Sequence, residues 1–401
     1  MLLFIYIATE ITSFAFEFYI NFMQYKYLDI FPKELKSYYK VEEYTKNRKY
    51  KQALTKLTLV ESTVSVFFGI FLFQQYNAIF KYFDSIQNHL IQAITFLASV
   101  YLLAYTIKLP FDYYKHFHIE QAYGFNNMTI SLYLKDKVKW AIIVSLLFSI
   151  FLTLLNLVVH INIFYIWGAI VAFQLVVLYL GPYIMALFND FMPCKDDLKT
   201  AISKMCLKVN YPLGGVYTMD QGQRSSHSNA FMYGMFKKYI VLFDTLLKQL
   251  NDNEIVAVLN HELGHWYYSH ITKLVVHQCV WYLVICMLYP VFVHNVVQVA
   301  EYPFLKNELI RFLVYFQLLG PLTQVVEISQ HAITRVFEYQ ADKFAFEHGY
   351  GLELCSALDK LMRENLQVYS HWLYALTKES HPRALERLFV IKAMLSDKKK
   401  N

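Results

Sequence analysis

Seven apolar stretches decide what this chain can become. They fall at roughly 1–23, 60–80, 90–109, 140–160, 162–188, 274–298 and 309–331. Each is long enough to cross a bilayer, which takes about 20 mostly apolar residues. Only 17% of the residues are charged, whereas soluble domains carry about a quarter. The expected fold class is therefore mainly α, a multi-pass membrane protein with seven transmembrane helices. Gly181-Pro182 and Gly320-Pro321 predict kinks in the fifth and seventh crossings. The first stretch carries Glu10 and Glu17 and lacks a basic lead-in, so it reads as a retained crossing rather than a cleaved signal.

Lysine and arginine placement orients the crossings. The connection 24–59 carries Lys26, Lys33, Lys36, Lys40, Lys46, Arg48, Lys49, Lys51 and Lys56. The connection 110–139 carries Lys115, Lys135, Lys137 and Lys139. The alternate connections are nearly bare, with Lys81 in 81–89 and Lys306 in 299–308. This pattern puts the N-terminus in the lumen and the C-terminus, with 189–273, in the cytoplasm. The net charge of +6 is too mild to suggest nucleic acid. Cys194, Cys206, Cys279, Cys286 and Cys355 have no paired spacing, which argues against a disulfide framework or a cysteine metal cluster.

Polar residues inside the crossings should face an interior. Glu10 and Glu17 share a helical face, and Gln74, Gln75, Gln174, His277 and Gln317 add to the set. Helix-to-helix hydrogen bonds and a wet cavity are both open readings. Between the fifth and sixth crossings lies a small α+β unit. It has a polar turn over 190–197, a helix near 196–208, and strands at 211–219 and 238–243. The expected organisation is 1–188 (five crossings), 189–273 (a cytoplasmic unit), 274–331 (two crossings) and 332–401 (the completion of that unit).

That unit ends in His261-Glu262-Leu263-Gly264-His265. On a helix, positions i and i+4 share a face, so two imidazoles can grip one metal ion. Glu262 beside them is placed to act as general base on a water at that ion, the logic of the H-E-x-x-H motif. Asn251-Asp252-Asn253-Glu254 supplies caps and early acids for such a helix. A catalytic zinc takes three protein ligands and an open position. His270 lies five residues past His265 and off its face, so it is rejected as the third ligand. Two crossings separate the His pair from the residues after 331, and an even number returns the chain to the same side. There, Glu338 and Asp342 lie four apart on one predicted helical face. One carboxylate can bind metal while the other orients a ligand imidazole. Arg335, three before Glu338, is a further candidate support for the ligands, or simply half of a surface ion pair.

Several blocks resemble the type 1 CAAX prenyl proteases, integral-membrane zinc metalloproteases of the endoplasmic reticulum. They are Pro110-Phe111, Ile119-Glu120 and Gly124-Phe125-Asn126; Arg224 to Ala230; Ile240 to Leu247; Asn253-Glu254; His261 to Trp266; Glu338 to Asp342; and His381-Pro382 with Leu385-Glu386-Arg387-Leu388. The resemblance covers about 24–390. It implies one zinc ion on His261, His265 and Glu338, with Glu262 as general base and Asp342 behind the ligands. It implies Asn229 on a substrate-binding edge strand and His381 as a transition-state stabiliser. The implied fold is a ring of seven helices around a large hydrophilic chamber, capped by the zinc domain.

The implied substrates are prenylated CAAX proteins, met at the lipid surface of the endoplasmic reticulum, with the nuclear envelope as a further location. The reaction would remove the last three residues. One departure is Arg383, which stands where the family tends to have a second proline. A broader protease for unprenylated membrane polypeptides is the alternative enzyme. A scaffold or transporter with structural zinc is the alternative of another class, but no cysteine accompanies His261. Lys398-Lys399-Lys400-Asn401 reads either as a dilysine retrieval signal or as a solvated basic tail.

Overall fold

The computed structural model describes residues 1–398 except 33, 34, 36–38, 235 and 236. Lys33, Lys36, Lys399, Lys400 and Asn401 therefore lie outside the described residues. The long helices are α1 (Leu2–Tyr27), α2 (Val41–Gln74), followed by the short α3 (Tyr76–Phe80), α4 (His89–Tyr114), α5 (Ile130–Val158) and α6 (Ile163–Met185). After a strand β1 (Phe191–Pro193) come α7 (Asp196–Lys208), β2 (Leu213–Met219), β3 (Ala230–Tyr233), β4 (Lys238–Phe243), α8 (Asp244–Gln249) and α9 (Asp252–Tyr267). The chain continues through α10 (His270–Val296), α11 (Glu308–Gln317), α12 (Gly320–Glu347), α13 (Gly351–Glu364), α14 (Trp372–Lys378) and α15 (Ala384–Lys398).

Among the described residues six helices are long and apolar enough to span a membrane, or seven if α11 and α12, bent by 62° to one another, count as one broken span. The break at Leu318-Leu319 immediately precedes Gly320-Pro321, the pair at which the sequence predicts a kink. Pro182 instead sits in the last turn of α6, which stops at Met185, so it ends the helix. Two expected loops are largely helix. The connection 24–59 is mostly the start of α2, and 110–139 is shortened by α4, which runs past Pro110 into a π-turn at Lys115–Glu120. Hydropathy marks only the apolar window, and the Lys- and Glu-rich flanks are good helix formers that prolong it.

The spans close on themselves. Helix α1 packs on α2, α2 on α4, α4 on α5, α5 on α6, α6 on α10, α10 on α12, and α12 returns to α1. One end of this ring is filled by α11 and the turn at Pro303–Lys306, where Phe96, Phe304 and Phe312 are fully buried among the helix ends. Away from that plug, polar side chains bond between walls: Glu17 to Gln324 and Lys378, Gln174 to Gln278, and His277 to Ser329. Glu17 and Lys378 keep 27% and 20% of their side-chain surface open, so the pair bonds helix to helix without being fully enclosed.

The opposite end carries a four-stranded sheet in the order β1-β2-β4-β3, with β2 and β4 parallel and both outer pairs antiparallel. Strands β2 and β4 fall where alternation predicts them, whereas the three-residue β1 lies inside the expected polar turn over 190–197. The sheet stands ahead of α9, whose start is fixed by a capping box. Asn251 Oδ1 accepts from Glu254 N at 3.0 Å, and Asn251 N donates to Glu254 Oε2 at 2.9 Å. The buried Glu254 carboxylate also accepts from Ser356 Oγ at 2.6 Å and pairs with Lys360 at 2.7 Å, which ties α13 to α9.

Burial alone would push the Glu254 carboxyl up, but Lys360, Ser356 and the Asn251 N–H outweigh it and hold it below its usual value. Such a carboxyl stabilises the fold above its unfolded pKa, about 4.3, and loses that contribution as pH falls through the folded value. Glu254→Gln is expected to cost about 1–3 kcal/mol at neutral pH. Thermal unfolding across pH should show the gap to the parent protein closing below about pH 4.

Candidate metal centre

Helices α9 and α12 cross closely, and Gly264 is where they touch. A Cβ added there would lie 2.9 Å from Ala341 Cα and 3.1 Å from Phe344 Cβ. The glycine inside the His-Glu pentapeptide thus lets α12 approach until Glu338 faces both imidazoles. His261 Nε2 and His265 Nε2 are 3.1 Å apart, and they stand 3.4 and 3.3 Å from the two Glu338 oxygens. All three ligand groups have donor atoms within 4.8 Å of one another. A tetrahedral zinc with bonds of about 2.0–2.2 Å separates its ligand atoms by roughly 3.3–3.6 Å. The donor set fits a metal ion.

The rest of the centre sets which nitrogen is free. His261 Nδ1 lies 2.9 Å from Asp342 Oδ1, so its proton sits there and the Nε2 lone pair faces inward. His265 Nδ1 lies 2.9 Å from His270 Nδ1, and His270 Nε2 lies 2.9 Å from Gln340 Oε1. One proton order satisfies that row: Gln340 accepts from His270, and His270 accepts from His265 Nδ1–H. It too leaves an Nε2 lone pair for a metal. His270 is buried and stacks on Phe337 at 4.0 Å between centroids. Its place depends on Ser269, whose left-handed φ of 56° breaks the helix between α9 and α10. Spacing on a continuous helix rejected His270 as a ligand; it could not reveal this supporting role across a turn.

Arg387 also joins the centre, a role that its spacing in the sequence does not reveal. It is buried, and its guanidinium grips Asp342 at 2.8 and 2.6 Å and reaches Glu338 Oε2 at 3.2 Å. Burial and the nearby Arg387 cation work against a proton on His261, but Asp342 and Glu338 overcome them and raise its pKa to about 9. A metal must displace that proton, so occupancy should rise with pH. Arg335 does not join this group. It donates to the carbonyls of Ala375 and Glu379 at 3.2 and 2.8 Å, and among the described residues it touches no ligand. The expectation that it supports the ligands is corrected: its turn of α12 faces α14, and it fixes the loop leading to His381.

That loop brings His381 Nδ1 to 2.9 Å from Glu338 Oε2, with 63% of the His381 side chain open. Glu262 is half-buried beside His261, within electrostatic reach of Arg387. Asn229 lies at the start of β3, the free edge of the sheet. Its carbonyl accepts from Phe243 N at 3.1 Å, so by antiparallel alternation Ala230 N–H points to the open edge. There Asn229 Oδ1 accepts it at 2.9 Å. The approach to β3 is braced from the ring: Phe125 stacks on His227 at 4.2 Å, and Arg224 pairs with Asp136 of α5 at 2.8 Å. Glu120, 3.6 Å from His227, raises that imidazole's pKa against the effect of burial.

Residues 194–395 match the model of peptidase family M48, and 21–190 match the CAAX prenyl protease N-terminal model, five membrane helices. The Arabidopsis thaliana CAAX prenyl protease 1 homolog is 32% identical over 418 residues, covering 95% of both chains. Saccharomyces cerevisiae CAAX prenyl protease 1 is 31% identical over 433 residues, covering 98% of this chain and 95% of its own. The chain belongs to the type 1 CAAX prenyl protease family. The crystal structure of S. mikatae Ste24p superposes with a TM-score of 0.87 at 29% identity, over 97% of this chain and 98% of that one. Membership in this metalloprotease family implies a metal ion and a membrane setting, which accord with the donor set and the ring.

Two substitutions test the centre. Gly264→Ala should cost about 1–3 kcal/mol by overpacking the crossing, and purified protein should hold less metal. Asp342→Ala should weaken metal affinity by about 10–100-fold, read by titration with a competing chelator.

Proposed function

We propose that this chain is a zinc metalloendopeptidase that releases the C-terminal tripeptide from prenylated CAAX proteins. The observation that carries the reading is the convergence of His261, His265 and Glu338 beside an exposed histidine and a free strand edge. His261, His265 and Glu338 would hold the zinc. When bound, it supplies Lewis acidity to the water and to the scissile carbonyl. Glu262 takes the proton of the attacking water and passes it to the leaving amine. His381, which stands beside the Glu338 carboxylate, would donate a ring N–H to the carbonyl oxygen as that oxygen gains charge. The substrate pairs as an extra strand along β3, with Asn229 holding its backbone.

The membrane setting suits such a substrate, because one lipid chain anchors weakly yet concentrates the tail at the bilayer. We assign the enzyme to the endoplasmic reticulum, with the sheet, metal centre and C-terminus in the cytoplasm and the plugged end of the ring in the lumen. The lysines of the first and third connections support that orientation.

Purified protein supplied with zinc should release the tripeptide from a farnesylated CAAX peptide. Glu262→Ala should slow release by about 100- to 10,000-fold, and a chelator should abolish it. Undiminished release in either case refutes the scheme, and equal cutting of unprenylated polypeptides would instead support the broader protease.

A further inference from the structure

Lys51 is a charge that this mechanism leaves unused. It sits on the inward face of α2, with buried Asn47 and Thr55 one turn to either side. Asn47 Nδ2 donates to Gln367 O at 3.1 Å, so that face looks toward the segment between α13 and α14. Lys51 is half-buried, and among the described residues no hydrogen bond or ion pair holds its ammonium. An ammonium in so enclosed a place calls for water or an anion.

Its electrostatic neighbours place it relative to the reaction. They are Glu379, Lys115 and Glu120. Glu379 lies two residues before His381, and Arg335 holds its carbonyl. Glu120 lies against His227, two residues before Asn229. Lys51 is therefore within electrostatic reach of both the His381 loop and the groups that brace the entry to β3. Arg383 acts on Glu379 from the His381 side, as Lys51 does from α2. Its guanidinium covers Tyr369 at 4.2 Å and meets Glu386 at 3.3 Å, while its buried Nε lacks an acceptor. The Glu379 carboxylate is itself engaged by Ser370.

A strand added antiparallel to β3, the more stable pairing, runs its C-terminus toward Asn229 and its N-terminal side toward Tyr233. At the Tyr233 end an aromatic cleft of about 570 Å³ opens against Tyr179 and Tyr183 of the span α6. The apolar end of a lipidated substrate fits there, and the charged end fits the other. Three residues past a scissile bond reach about 10 Å when extended. We propose that Lys51, assisted by Arg383, receives the free α-carboxylate of the substrate's last residue. This rests on the CAAX protease reading above.

The test compares one farnesylated peptide as its C-terminal acid and as its C-terminal amide, with zinc-loaded full-length protein. The parent protein should favour the acid by about 10- to 100-fold in kcat/KM, chiefly through KM, the size of one lost charge pair. In Lys51→Met that ratio should fall close to one, and Lys51→Arg should restore it. A parent ratio near one overturns the proposal by itself, whether or not the variants fold. A preference that survives in Lys51→Met also overturns it. Chelator-sensitive cutting of the amide would show that the protease reading stands even then, whereas failure to cut either peptide would count against that reading itself.

Discussion

The contact between α9 and α12 at Gly264 governs the rest of this structure. With Ala341 Cα only 2.9 Å from where a side chain would begin, the two helices meet backbone to backbone. No side chain could bridge a wider gap and keep the geometry, because Glu338 is short and must sit within 3.4 Å of both imidazoles. Close packing of this kind resists continuous adjustment. The ligand carboxylate is therefore placed by helix packing first, and its ion pairs follow.

Around that crossing, polar groups do what the apolar contact cannot. Asp342 and the His270–Gln340 pair each hold one Nδ1–H, which points both Nε2 atoms at the same space. Arg387 compensates the two buried carboxylates, so Glu338 and Asp342 can share one helix face. Removing Arg387 would leave like charges facing each other in a desolvated interior. The centre is thus a network that four separate chain segments complete, and none of them holds a ligand in place alone.

This division explains which parts were legible in the sequence. The apolar windows, the His-Glu pentapeptide, the capping residues and the strands β2 and β4 carry local signals, and local periodicity reads them. The parity of crossings placed Glu338 and Asp342 on the same side as the histidines, since the two spans between them bring the chain back. Local signals could not show where helices end, because Lys- and Glu-rich flanks continue helices past the bilayer window. They could not show β1 either, with only three residues to alternate. His270 depends on a left-handed Ser269, and Arg335 on the position of α14. Arg387 lay within a recognisable block, but nothing in its spacing says that it points at Asp342, 45 residues away.

Helix α12 joins the two halves of the molecule. It runs 28 residues, a length of about 42 Å at 1.5 Å per residue. Its first half bonds to α1 through Gln324 and to α10 through Ser329, inside the ring. Its second half presents Arg335 to the His381 loop, then Glu338 and Asp342 to the metal centre. A rigid rod that is wall at one end and carries Glu338 at the other fixes the candidate centre relative to the ring of spans. The packing of the spans therefore sets the position of the His261, His265 and Glu338 donors along with the ring itself.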